Sequence, residues 1–132
     1  MRILIAPDKF KGSLSARDVA DSIAAGLRDS LPDTMIDIVP VADGGEGTAE
    51  VICRACAGEW LECPAHDALG RAITTRYVWL RGRKTAVMEM SEAAGGWRIA
   101  PQERDPLIAN TYGVGEMLLA VAQREADEVI VG

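Results

Sequence analysis

Apolar positions along this chain follow two different periods. Residues 2–6 form a short apolar run that stops at Pro7-Asp8 and reads as a buried parallel strand. A polar loop, residues 8–14, leads to Ser15, a good helix N-cap with Asp18 in the turn that follows. Val19, Ala20, Ile23, Ala24, Leu27 and Leu31 then recur at three- and four-residue spacing, which predicts a helix with one apolar face, ended by Pro32-Asp33. Residues 35–41 form a second apolar run, and Asp43-Gly44-Gly45-Glu46-Gly47 follows. From Thr48 a second helix carries Val51, Ile52, Ala55 and Cys56, with Gly58 as its C-cap. Strand, loop and helix repeated in that order predict a parallel sheet with right-handed crossovers.

After Gly58 the period changes to two. Residues 59–63 read as a short strand and Asp67-Ala68-Leu69-Gly70 as a turn. Ile73, Thr75, Tyr77 and Trp79 share one face of an alternating strand, Arg81-Gly82-Arg83 turns, and residues 84–90 return. This antiparallel hairpin or meander sets a boundary or insertion between Gly58 and Pro64. Residues 1–60 are then one α/β unit with a parallel sheet, and residues 61–132 begin a second. A third helix is expected to turn Met117, Leu118, Val121 and Ala122 inward, and residues 128–132 read as a buried strand cut off at its end. Ligand sites in such sheets lie beyond the C-terminal ends of the strands.

Composition narrows the class. Of the 132 residues, 48% are hydrophobic, 26% charged and 5% aromatic, enough to build a core without disulfides or metals. No apolar run approaches the ~18 residues of a membrane span, and the opening segment is too short for a signal peptide. The expectation is a cytoplasmic protein. A net charge of −6 with one His argues against nucleic-acid and anionic-membrane partners. An anionic ligand must therefore be met by a few local cations and backbone amides.

Three loops open helices and carry candidate chemistry. The first offers Asp8, Lys9, Lys11, Gly12 and Ser13; the second offers Asp43, Gly44, Gly45, Glu46, Gly47 and Thr48. Glycines let backbone amides approach an anion, and a helix N-terminus adds partial positive charge. Both loops follow parallel strands and should share one edge of the sheet, where Lys11, Ser13, Asp43, Glu46 and Thr48 would supply phosphate binding, metal binding and proton handling. Read without function, the glycines only relieve a tight turn, and Lys9 and Lys11 form a solvated rim. Neither GxxxxGK[ST] nor GxGxxG is present. A third loop, Thr111, Tyr112, Gly113, Val114, Gly115 and Glu116, is either a plain helix start or a third wall of the cleft. Cys53, Cys56, Cys63 and His66 have C-x2-C…C-x2-H spacing, which suits zinc, although the first two sit inside a helical pattern where cysteine serves as a small hydrophobe. Trp60, Trp79 and Trp97 read as core or interface anchors.

Residues 6–16, APDKFKGSLSA, and residues 40–48, PVADGGEGT, resemble motifs of the bacterial glycerate kinase family, as do residues 85–90 and 111–116, in the family's order. The resemblance implies a two-domain enzyme, a flavodoxin-like domain with a second α/β domain inserted and the active site between them. It implies ATP, Mg²⁺ and D-glycerate, commonly with 2-phosphoglycerate as product. Lys11 would then meet the substrate carboxylate or the transferring phosphate. Asp43 or Glu46 would hold Mg²⁺ or accept the hydroxyl proton, with Asp8 the rival base, while the amides of Gly44, Gly45 and Gly47 and the side chain of Thr48 cradle phosphate oxygens. Thr111, Gly113 and Gly115 would complete the ligand site. Two departures stand out: Lys9 occupies a position usually held by serine, and family members are considerably longer. The chain thus reads as the N-terminal part of such a kinase, homo-oligomeric or not. The other readings are an inactive truncated domain serving as an interaction module, and a small zinc-stabilised binding protein.

Overall fold

Strand β1 (Arg2–Ile5) and strand β2 (Met35–Ile38) pair in parallel, Arg2 against Met35 and Ile5 against Ile38, in the computed structural model, which describes residues 1–132. Helix α1 (Ala16–Ser30) connects them. Ser15 caps α1 as its sequence position predicts, Oγ accepting the Asp18 N–H at 3.2 Å. Ala20 and Ala24 lie buried against Ile5, with Ile3, Leu27, Ile36 and Ile38 packed around them. The buried stripe is centred on these small residues, so Ile23 and Leu31 are exposed rather than inward as expected. Two strands are too narrow a platform to cover the whole apolar arc of a four-turn helix.

The second sheet has four strands in the order β3 (Glu59–His66), β4 (Ala72–Leu80), β5 (Thr85–Met88), β6 (Glu128–Val131). The first three form the expected antiparallel meander, and β6 joins β5 in parallel. Helix α2 (Thr48–Ala55) covers one face, setting Ala49 and Cys53 against Val78, Leu80 and Val87. Helix α4 (Tyr112–Gln123) and the single-turn α3 (Ser91–Ala94) cover the other, where Tyr77, Trp79, Ala86 and Met88 meet Ala93, Val114, Met117 and Val121. Both faces of β4 are therefore buried from Tyr77 to Leu80. The alternation in the sequence marked only one of them, and Ile73 at the start of the strand is only partly covered.

Several expectations change in this packing. Helix α2 lies on the second sheet and not on β1 and β2, so the packing changes partners in the loop before Thr48. Gly58 is not the residue that turns left-handed after α2. Ala57 does so with φ 52°, and the Gly58 N–H reaches back to the Cys53 carbonyl at 2.8 Å. Glycine is required at 58 for a close approach: a Cβ there would lie 2.6 Å from Val78 Cγ1. In α4 the buried stripe is Val114, Met117 and Val121, leaving Leu118 and Ala122 outside. Strand β6 is exposed, not buried, because it is the sheet edge and has β5 on one side only. No helix is long and apolar enough to cross a membrane.

The zinc reading fails on geometry. Cys53 lies among the side chains under α2, and Cys63 on the opposite face of the sheet with the residues under α4. Cys63 touches Thr75 Oγ1 at 3.2 Å, Cys56 is exposed, and no group of three or more metal-ligating side chains converges. Burial also pushes the Cys53 thiol above its usual range, as for a cysteine serving as a small hydrophobe.

Candidate functional site

The loops after β1 and β2 leave the same edge of the parallel pair and border a cleft of about 740 Å³. Its other wall comes from the second sheet, with Trp60 of β3, Arg76 of β4, and Glu89, Ser91, Glu92 and Trp97 from the segment after β5.

Each wall is shaped by local hydrogen bonding. In the first loop the Phe10 N–H donates to the Leu14 carbonyl at 2.9 Å and the Leu14 N–H returns to Phe10 at 3.1 Å. This closes a tight turn with Gly12 at φ 74°, a conformation that glycine enters without strain. Lys11 sits on the exposed tip of that turn and does not line the cleft. Lys9 does. Its side chain is 21% exposed, and Nζ lies 2.9 Å from Glu46 Oε2, joining the two loops across the cleft wall. Asp8 accepts the Lys9 N–H at 2.6 Å.

The second loop is held from the other sheet. Glu89, buried at the end of β5, accepts the N–H groups of Gly47 at 2.8 Å and Ala49 at 2.9 Å on one carboxylate oxygen. A carboxylate thus sits at the N-terminus of α2, where the helix favours negative charge. Asp43 accepts the Gly45 N–H at 3.3 Å, and the Thr48 N–H reaches the Gly45 carbonyl at 3.1 Å. Gly44 and Gly47 both have left-handed φ, 102° and 100°. Two of the glycine amides expected to cradle phosphate, those of Gly45 and Gly47, are thereby engaged within the protein. Thr48 Oγ1 is buried and has no hydrogen-bond partner.

The third loop lies elsewhere. Gly113 packs on the backbone of His66 at the end of β3, so closely that a Cβ would fall 1.8 Å from the His66 carbonyl oxygen. Glu116 accepts the His66 N–H at 2.8 Å and meets its Nδ1 at 2.9 Å. Thr111, Gly113 and Gly115 thus belong to the junction of α4 and β3 and do not line the cleft. Of the loop residues singled out in the sequence, the cleft holds Asp8, Lys9, Gly12, Ser13, Glu46 and Gly47, together with Trp60 and Trp97; Lys11, Asp43, Gly44, Gly45 and Thr48 lie outside its lining.

Sequence reasoning assigned no role to Arg76 or Glu92, read Trp60 only as a core or interface anchor, and held Glu89 only as part of the motif at residues 85–90. For Glu89 a signal existed: a single carboxylate directly follows the wholly buried strand Thr85–Met88. Arg76 and Trp60 are diagonal neighbours across the β3–β4 pair and carry no local mark. Mg²⁺ prefers hard oxygen ligands and commonly takes one or two carboxylates plus phosphate oxygens. The carboxylates of Asp8 and Glu46 and the hydroxyl of Ser13, all at the cleft, fit that preference.

Comparison with known proteins bears on this arrangement. The family model described as the glycerate kinase family matches residues 3–132. Glycerate 2-kinase of Escherichia coli (strain K12) is 39% identical over the whole chain, and glycerate kinase of Bacillus subtilis (strain 168) is 37% identical over 132 residues. The crystal structure of a Salmonella typhimurium LT2 protein described as glycerate kinase 2 superposes over the full chain with a TM-score of 0.78 at 36% identity. The chain spans 35% of the length of each of these three relatives.

Proposed function

The chain belongs to the glycerate kinase family, and from that premise we propose that its protein transfers the γ-phosphoryl group of ATP to D-glycerate, with 2-phosphoglycerate as product. One observation carries the reading: the loops after the parallel strands β1 and β2 meet through Lys9 and Glu46 at the cleft between the two sheets.

Catalysis of phosphoryl transfer is mostly positioning and charge neutralisation. A glycerate hydroxyl oxygen attacks the γ-phosphorus, its proton leaves to a carboxylate, and ADP departs with the bridging oxygen. Asp8 is the assigned proton acceptor because it lines the cleft, with Asp43 as the alternative. Lys9 from the cleft wall and Lys11 from the turn tip oppose the phosphate charge. Ser13 and the Gly47–Thr48 corner border the phosphates. Glu46, with Asp8 or Asp43, would hold Mg²⁺, which when bound neutralises charge on the phosphoryl oxygens. The family resemblance supports a cytoplasmic setting.

The test is a coupled assay of the purified chain with Mg-ATP and D-glycerate, against a blank without glycerate. Glycerate-dependent ADP release would mean that the cleft is complete within these residues or across an oligomer. A folded chain that stays silent while a longer relative turns over in a parallel assay refutes the activity for these residues alone. The ³¹P signal of the product fixes the position, since phosphorus on C2 couples to one methine proton and phosphorus on C3 to a methylene pair.

A further inference from the structure

On the second-sheet wall of the cleft, one carboxylate serves two guanidinium groups. Glu92 Oε1 lies 3.1 Å from Arg76 Nε, and Glu92 Oε2 lies 3.4 Å from an Arg98 Nη. The three are not equally enclosed. The side chains of Glu92 and Arg98 are 14% and 18% exposed, whereas Arg76 is 55% exposed. Arg98 Nε is buried without a partner, so Arg98 depends on Glu92 to offset its charge. Arg76 shares what remains and opens on the cleft, which Arg98 does not line.

The sheet register explains how Arg76 is held. Glu62 pairs with Arg76 and Trp60 with Val78, which makes Trp60 the diagonal neighbour of Arg76 on the same face. The Arg76 guanidinium carbon lies 4.2 Å from the centroid of the Trp60 ring. Stacking fixes the plane of the guanidinium, and with Nε on Glu92 the two Nη groups remain free, the end that can grip a carboxylate in two parallel bonds.

We propose that Arg76, stacked on Trp60 and half-paired with Glu92, is the subsite that receives the carboxylate of the acid substrate. The trio of Arg76, Arg98 and Glu92 carries a net charge of +1, which one monoanion neutralises. A polyphosphate would meet repulsion from Glu92 there, and the function proposed above sets it instead at the opposite wall, beside Lys9 and Ser13. The identity of the acid as glycerate rests on the function proposed above; the anion subsite does not.

The experiment titrates the purified chain and two variants with D-glycerate, inorganic phosphate and MgADP in separate calorimetric runs, with the intrinsic fluorescence of the three tryptophans followed in parallel. Arg76→Gln should weaken D-glycerate binding at least tenfold and leave MgADP affinity within twofold. Glu92→Gln should tighten D-glycerate binding, because it removes the competing carboxylate; a purely structural role would weaken binding in both variants. If phosphate binds in an Arg76-dependent way while D-glycerate does not, the subsite stands and the glycerate reading falls. The subsite is refuted if Arg76→Gln binds D-glycerate as tightly as the unaltered chain, if it loses D-glycerate and MgADP together, or if the unaltered chain binds neither small anion.

Discussion

The carboxylate of Glu89, at the end of β5, accepts the Gly47 N–H at 2.8 Å from the start of α2, across 42 positions of sequence. A second bond from Ala49 ends on the same oxygen. This one side chain fastens the glycine loop to the second sheet and supplies the cap that Gly47, lacking a side chain, cannot supply itself.

Glu89→Ala leaves two N–H groups of α2 without their acceptor and should lower stability by about 2–3 kcal/mol. Glu89→Gln keeps an acceptor oxygen and should cost roughly half as much. Urea denaturation of both variants measures the difference; equal midpoints for Glu89→Ala and the unaltered chain would remove the capping role.

Lys9 and Lys11 should separate in activity. The Lys9–Glu46 pair is partly exposed, so Lys9→Ala should cost no more than about 1 kcal/mol of stability. Its loss from the cleft should lower kcat/KM at least tenfold, about 1.4 kcal/mol in the barrier. Lys11→Ala, at the exposed tip, should do less. Steady-state kinetics in which Lys11→Ala is the more damaged enzyme would reverse the assignment.

Gly113 and Gly115 lie two positions apart on α4 and should respond in opposite directions. Gly113→Ala drives a methyl into the His66 backbone and should destabilise by about 3 kcal/mol or more. Nothing lies within 4 Å of a Cβ at Gly115, so Gly115→Ala should stabilise by roughly 0.5–1 kcal/mol through helix propensity. Thermal melts of the two variants decide it, and similar shifts in both would contradict the close packing on His66.

Acid sensitivity should trace in part to Asp67. Burial by itself would raise its carboxyl, but the N–H and guanidinium of Arg71 and the N–H of Leu69 outweigh burial and hold it below the ordinary 3.8. A carboxyl depressed in the folded state adds stability above its unfolded value, and that stability is lost as pH falls through the folded one. Asp67→Asn should therefore cost about 1–3 kcal/mol at pH 7 and progressively less below about pH 4. A penalty independent of pH, read from urea midpoints at both ends of the range, would show that shape rather than charge matters at this turn.

The sequence by itself determined what depends on near neighbours. The Ser15 cap, the parallel step from β1 through α1 to β2, and the antiparallel meander from β3 to β5 were legible because capping, turn chemistry and side-chain period act within a few residues. The two loops at the cleft were legible too, through Asp8, Ser13, Glu46 and Gly47. Tertiary structure decided the rest, because the deciding partner lies far along the chain. Helix α2 has an apolar face that any sheet would satisfy, and only the Val78, Leu80 and Val87 surface selects which. Gly58 reads as a helix stop until Val78 arrives beside it. Cys53 and Cys63 share a ligand-like spacing that the sheet then divides between its two faces. Lys9 and Lys11 are equivalent cations in sequence, and the hairpin-like closure of Phe10 on Leu14 puts one against Glu46 and the other in solvent. Arg76 became a candidate anion site only when strand register put it over Trp60. Local chemistry selects the elements, and long-range packing selects which charges face the cleft.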